Sequence, residues 1–105
     1  MKWNFKLNLN GVNPEKIYKT QYYVDDEILR RSDPLVPFQT GMLKKSGILG
    51  TKKGSGTVKY IAPYAKRQYF AGKSSSQRGH LWVRRMWTSQ GNDIIRNAKK
   101  ILSGR

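Results

Sequence analysis

A lone histidine, His80, with Arg84 and Arg85 just after it and Tyr69 before it, is the one set of side chains in these 105 residues that could run acid–base chemistry without a metal. Metal-free ribonucleases cleave RNA with a general acid, a general base and cationic phosphate clamps drawn from such residue types. Small basic toxins of toxin–antitoxin pairs are chains of this size, so a toxin-like ribonuclease is one reading. The same spacing puts Arg84 and Arg85 on the wet side of an amphipathic helix whose other side carries Trp82 and Met86. That second reading needs no chemistry and is preferred, so no catalytic residue is assigned.

Other constellations fail on spacing. Gly72-Lys73-Ser74 resembles the end of a phosphate-binding loop, but the position that must hold the first glycine is Arg67. Asp25, Asp26 and Glu27 are consecutive, so on a helix they fan outward and do not converge on one ion; a solvated helix face is expected. The chain has no cysteine, which removes disulfides, thiolate metal sites and a cysteine nucleophile and fits a reducing compartment. No cofactor and no metal are expected. Residues 1–6 alternate polar and apolar, and no apolar run reaches the roughly 20 residues of a membrane span, so a soluble protein is expected.

Charge is the strongest compositional signal. The net charge is +15, from 21 Lys and Arg against 6 Asp and Glu. It is also lopsided, since residues 1–33 carry 6 basic and 5 acidic side chains, whereas residues 34–105 carry 15 basic side chains and Asp93 alone. Such a field repels copies of itself and attracts polyanions or acidic surfaces. A basic nucleic-acid-binding domain is therefore a further reading, with Lys44, Lys45, Lys66 and Arg67 contributing and with Lys52, Lys53, Lys73 and Arg78 as the candidate contacts to DNA or an acidic partner.

These side chains must be held by one small domain spanning residues 1–105, exposing roughly 6,000 Å² when folded. Trp3, Phe5, Leu7 and Leu9 alternate with Lys and Asn, which predicts a strand with one wet face. Asn13-Pro14-Glu15 reads as cap, first residue and first-turn acid of a helix over about 14–31, with Ile17, Gln21, Val24 and Ile28 as its apolar stripe, widened by Tyr18, Tyr22 and Leu29. Asp33-Pro34 and Val36-Pro37 stop it. Thr40 could cap a short turn through Ser46, and residues 47–61 are expected to form a β-hairpin around Gly54 and Gly56. Pro63 is expected to open a short helix through Phe70, a mobile loop to span about 71–80, and a C-terminal helix to follow from Leu81, interrupted at Gly91. The fold class is α+β: a small, mainly antiparallel sheet with an exposed hairpin, packed by a long N-terminal helix and a C-terminal helix.

Three landmarks follow one another in order: Pro37-x-x-Thr40-Gly41-x-Leu43-x-x-Ser46, then Val58-x-Tyr60-x-x-Pro63-Tyr64-Ala65-x-x-x-Tyr69, then Gly79-x-x-Trp82-x-x-x-Met86. Their order and spacing resemble the minor capsid and neck proteins of tailed bacteriophages, the small connectors between portal and tail. The resemblance covers most of residues 34–102. It implies a virion structural protein, made in the host cytoplasm, that forms a homo-oligomeric ring in the neck and completes the head or the tail before they join. Six subunits are preferred over twelve because tails are usually sixfold. Other neck and tail proteins would be its partners, with non-specific DNA contact in the channel and none with a membrane. On that basis Thr40, Gly41, Leu43, Ser46, Tyr60, Pro63, Tyr64, Ala65 and Trp82 define fold and assembly.

Overall fold

A computed structural model describes residues 1–37, 41–71 and 78–104. Two strands and four α-helices run in the order β1 (Lys2–Asn4), α1 (Pro14–Ser32), α2 (Met42–Gly50), β2 (Thr57–Lys59), α3 (Ala65–Ala71) and α4 (Trp82–Leu102), with a 3-10 turn over Asp33–Leu35. The α+β class is as expected, with helix far outweighing strand.

The α1 helix starts where its sequence says it should. The Asn13 side chain accepts the Glu15 amide at 2.9 Å, Pro14 occupies the first turn, and Arg30 and Arg31 sit in the last, favourable against the helix dipole. It packs antiparallel along α4: Arg31 donates to Gln90 at 3.2 Å, and further along Asn97 donates to the Tyr23 hydroxyl at 3.0 Å. The expected stripe is only partly right. Gln21, Val24, Ile28 and Leu29 are buried as expected, but Tyr18 and Tyr22 face solvent and Thr20 is buried instead. Gln21 earns that place by pairing with the main chain that follows β1, accepting the Leu7 amide at 2.7 Å and donating to the Phe5 carbonyl at 3.2 Å.

The strands pair antiparallel, Trp3 opposite Val58 and Lys2 opposite Lys59. Regular pairing ends at Asn4, yet alternating burial continues through Asn10, as the period of two requires. The hairpin expected over 47–61 does not form. Residues 42–50 are helical, and β2 takes its partner from the start of the chain, some 55 residues away. Two glycines make this possible, because a Cβ at Gly47 would lie 2.5 Å from the Tyr60 ring and one at Gly50 2.5 Å from the Lys59 carbonyl. Without them α2 could not rest on the chain around β2.

Four aromatic rings from four places in the sequence close a circuit in the core. Trp3 meets Tyr60 at 5.8 Å and Tyr69 at 4.9 Å between centroids, and Trp82 meets the same two at 5.5 and 4.8 Å. Most of the pairs are near perpendicular, the arrangement ring quadrupoles favour. This node ties β1, the end of β2, α3 and α4 together.

Two helix boundaries differ from expectation. The α3 helix begins at Ala65, not Pro63. The α4 helix runs unbroken through Gly91, where the Trp87 ring lies over the missing side chain, 2.8 Å from where a Cβ would be. Among the described residues no helix is long and apolar enough to cross a membrane.

Candidate functional site

The residues of the three landmarks serve mostly as scaffold. Gly41 precedes α2 with φ of 79°, a left-handed conformation that favours glycine. Leu43 and Ser46 are buried on the inner face of α2, and the Ser46 hydroxyl donates back to the Leu43 carbonyl at 2.8 Å. Tyr60, Ala65 and Trp82 are buried, whereas Pro63 and Tyr64 are exposed. Burial pushes the Tyr60 phenol above its usual range, so it stays neutral. Thr40 and Lys73 lie outside the described residues.

Two of the catalytic candidates, Tyr69 and Arg85, have side chains engaged structurally. Tyr69 is buried; its carbonyl accepts the Leu81 amide at 2.8 Å and its hydroxyl accepts the Arg84 amide at 3.1 Å. Leu81 is the one described non-glycine residue with positive φ, at 53°, and no side chain next to α4 in sequence caps that helix. Tyr69 therefore supplies the cap from another helix. Arg85 donates from Nε to the His80 carbonyl at 2.8 Å and from a terminal nitrogen to the Leu35 carbonyl at 3.4 Å. This arginine is not on the wet side of α4; Arg84 is. Among the described residues no group of His, Asp and Glu could hold a metal ion.

The acidic triplet is the main surprise. Asp25 is fully buried and Glu27 nearly so, contrary to the solvated face expected. The Asp25 carboxylate accepts the Gly54 and Gly56 amides, both at 2.9 Å, and the Gln21 side chain at 3.0 Å. Both glycines have positive φ, which turns their amides toward a single oxygen. Asp26 pairs with Lys53 at 2.7 Å, and that contact raises the Lys53 pKa. Glu27 takes Arg30 at 2.5 Å and Arg31 at 3.5 Å, with the Arg30 hydrogen bonds holding its carboxyl below the usual range. Asp33 pairs with Lys44 at 3.1 Å, and Asp93 pairs with Arg31 at 2.8 Å and with Arg96.

These contacts sort the cations. Lys53 is committed to Asp26 and does not project from a hairpin tip as expected, and Arg78, expected in a mobile loop, donates to the Asp33 and Val36 carbonyls at 3.0 and 2.8 Å. Lys52 is exposed. Among the described residues, exposed positive charge without an acidic partner is left on Lys2, Lys6, Lys19, Lys45, Lys52, Lys59, Lys66, Arg67, Arg84, Lys99 and Lys100. Sequence reasoning missed Lys2, Lys6 and Lys59, whose meeting depends on the long-range strand pairing.

Apolar surface is left uncovered beside α2. Ile48 and Leu49 are 56% and 77% exposed, and Ile61 at 49% adjoins them across Gly50, its Cγ2 lying 2.6 Å from where a Cβ there would stand. Ile48 also lines an open cleft of about 260 Å³ between α1 and α2, walled by Leu29 and Tyr60 and flanked by the Asp26–Lys53 and Asp33–Lys44 pairs. No protein-family model matches the chain, and comparison with curated proteins and with solved structures likewise finds no match.

Proposed function

We propose that this chain is a structural subunit of a tailed-phage virion, assembling as a ring in the neck between head and tail. The reading starts from the landmark resemblance, and one structural observation supports it most. The accessible surface is 7035 Å², well above the roughly 6,000 Å² of a free-standing globule of this mass, and it includes the contiguous apolar side chains of Ile48, Leu49 and Ile61. A radius of gyration of 14.3 Å, against about 13 Å for a compact chain of this length, points the same way. Uncovered apolar surface of this kind is what a subunit completed by neighbours carries. The commitment of Tyr69 and Arg85 to scaffold hydrogen bonds also favours assembly over a toxin-like ribonuclease.

The test is co-expression with the products of the flanking genes, followed by light scattering and negative-stain microscopy. Rings are expected with the unaltered chain, and Leu49→Asp should abolish them while leaving the melting temperature of the free subunit nearly unchanged. A strict monomer in the presence of those proteins, or turnover of RNA that His80→Ala removes, would overturn the proposal.

A further inference from the structure

We infer that the outer face of the two-stranded sheet is a contact surface for the phosphate backbone of double-stranded nucleic acid. Lys2 on β1 stands directly opposite Lys59 on β2, and both are exposed. The backbone hydrogen bonds fall at Met1–Tyr60 and Phe5–Gly56, so Lys2 and Lys59 form a non-hydrogen-bonded pair, the closer of the two kinds in an antiparallel ladder. Like charges so placed repel and destabilise the sheet. Neither has an acidic partner, and the carboxylates that reach the chain around β2 are committed elsewhere, Asp25 to the Gly54 and Gly56 amides, Asp26 to Lys53 and Asp33 to Lys44. A bound anion would relieve that repulsion.

Lys6 extends the same face. It lies four residues beyond Lys2 along an extended main chain, about 14 Å away, next to Gly56. Asn4 and Thr57 lie between the lysines, and within the paired strands this face carries no apolar side chain. A duplex carries one charge per roughly 1.7 Å of axis, so each lysine can meet a phosphate of its own while Asn4 and Thr57 offer hydrogen bonds. An acidic protein is the poorer occupant, because protein interfaces need an apolar centre. The rings that could stack single-stranded bases, Trp3 and Tyr60, are turned into the core, so the face reads backbone and not sequence. This inference deepens the neck reading by moving the DNA contact from the loops to the sheet, and it rests on that reading only for which nucleic acid is met.

The test is fluorescence anisotropy of a short DNA duplex with the purified full chain from roughly 50 to 200 mM salt. The triple variant Lys2→Gln/Lys6→Gln/Lys59→Gln should lower the slope of log affinity against log salt by about three and weaken binding at least ten-fold. A control that removes three charges elsewhere, Lys66→Gln/Arg67→Gln/Lys100→Gln, should shift the slope far less. Melting temperature checks folding, and single Lys→Gln variants, each expected to lower the slope by about one, stand in if the triple variant fails to fold. An unchanged slope, equal losses in both triple variants, or displacement of the duplex by polyglutamate at equal charge concentration would overturn the inference. Duplex binding without ring formation would sink the assembly proposal alone.

Discussion

One oxygen of the buried Asp25 carboxylate holds the amide of Gly56 at 2.9 Å, linking α1 to the turn that delivers β2. The same oxygen also holds the Gly54 amide. Asp25→Ala would strand these amides with no acceptor, and leaving a buried polar group unpaired costs about 1–3 kcal/mol each. A loss of about 3 kcal/mol in chemical denaturation is expected, with Asp25→Asn intermediate because its amide oxygen keeps one acceptor. A loss below about 0.5 kcal/mol, the scale of ordinary surface changes, would show that the turn is held by other means.

Gly47→Ala tests the contact between α2 and the aromatic circuit. In an ordinary helix the change stabilises by up to about 1 kcal/mol. Here the new Cβ would stand 2.5 Å from Cε2 and 2.8 Å from Cζ of a buried Tyr60 ring, which has no room to yield. Overpacking should win, for a net destabilisation of about 2 kcal/mol. An increase in melting temperature would mean that α2 sits farther from Tyr60.

Tyr69→Phe removes only the hydroxyl that accepts the Arg84 amide in the first turn of α4. Losing a helix cap costs about 1 kcal/mol. Hydrogen exchange of the Arg84 amide should rise at the same time, while amides near the C-terminal end of α4 keep their protection. Unchanged exchange at Arg84 would show that the amide finds another acceptor.

Acid should weaken the fold through Glu27. Its carboxyl, depressed first by hydrogen bonds from Arg30, titrates lower in the folded chain than in the unfolded one. A depressed acid stabilises at pH above its unfolded pKa, and that stability is lost as pH falls through its folded pKa. The decline should therefore begin below about pH 4.5, the ordinary range of a glutamate. Glu27→Gln should cost about 1 kcal/mol at neutral pH, with Arg30 largely in solvent, and should flatten the acid limb of the stability curve. A parallel downward shift of the whole curve would assign the acid sensitivity to other carboxylates.

The local signals were legible. Asn13-Pro14-Glu15 marks the start of α1 because capping is decided within one turn. The alternation from Trp3 to Leu9 gives a strand's period and its wet face. The apolar spacing after Leu81 gives α4, since a helix repeats its burial every three or four residues. Gly91 misled because its cost was weighed without the Trp87 ring that covers it. The 47–61 hairpin misled more deeply: glycine-rich composition reads as turn, but Gly47 and Gly50 are small so that a helix can approach Tyr60 and Lys59.

By itself the sequence determined the α+β class, the long first and last helices, the wet face of the first strand and the regional excess of positive charge. Tertiary structure alone decided which strand β1 would pair with, and therefore that Lys2 and Lys59 stand opposite each other. It also decided that Asp25 would be buried on two glycine amides and that Tyr69 would cap α4. Capping, periodicity and charge are written in neighbouring residues. Partner choice across 55 residues is settled only when burial of the aromatic circuit selects one arrangement of the whole chain.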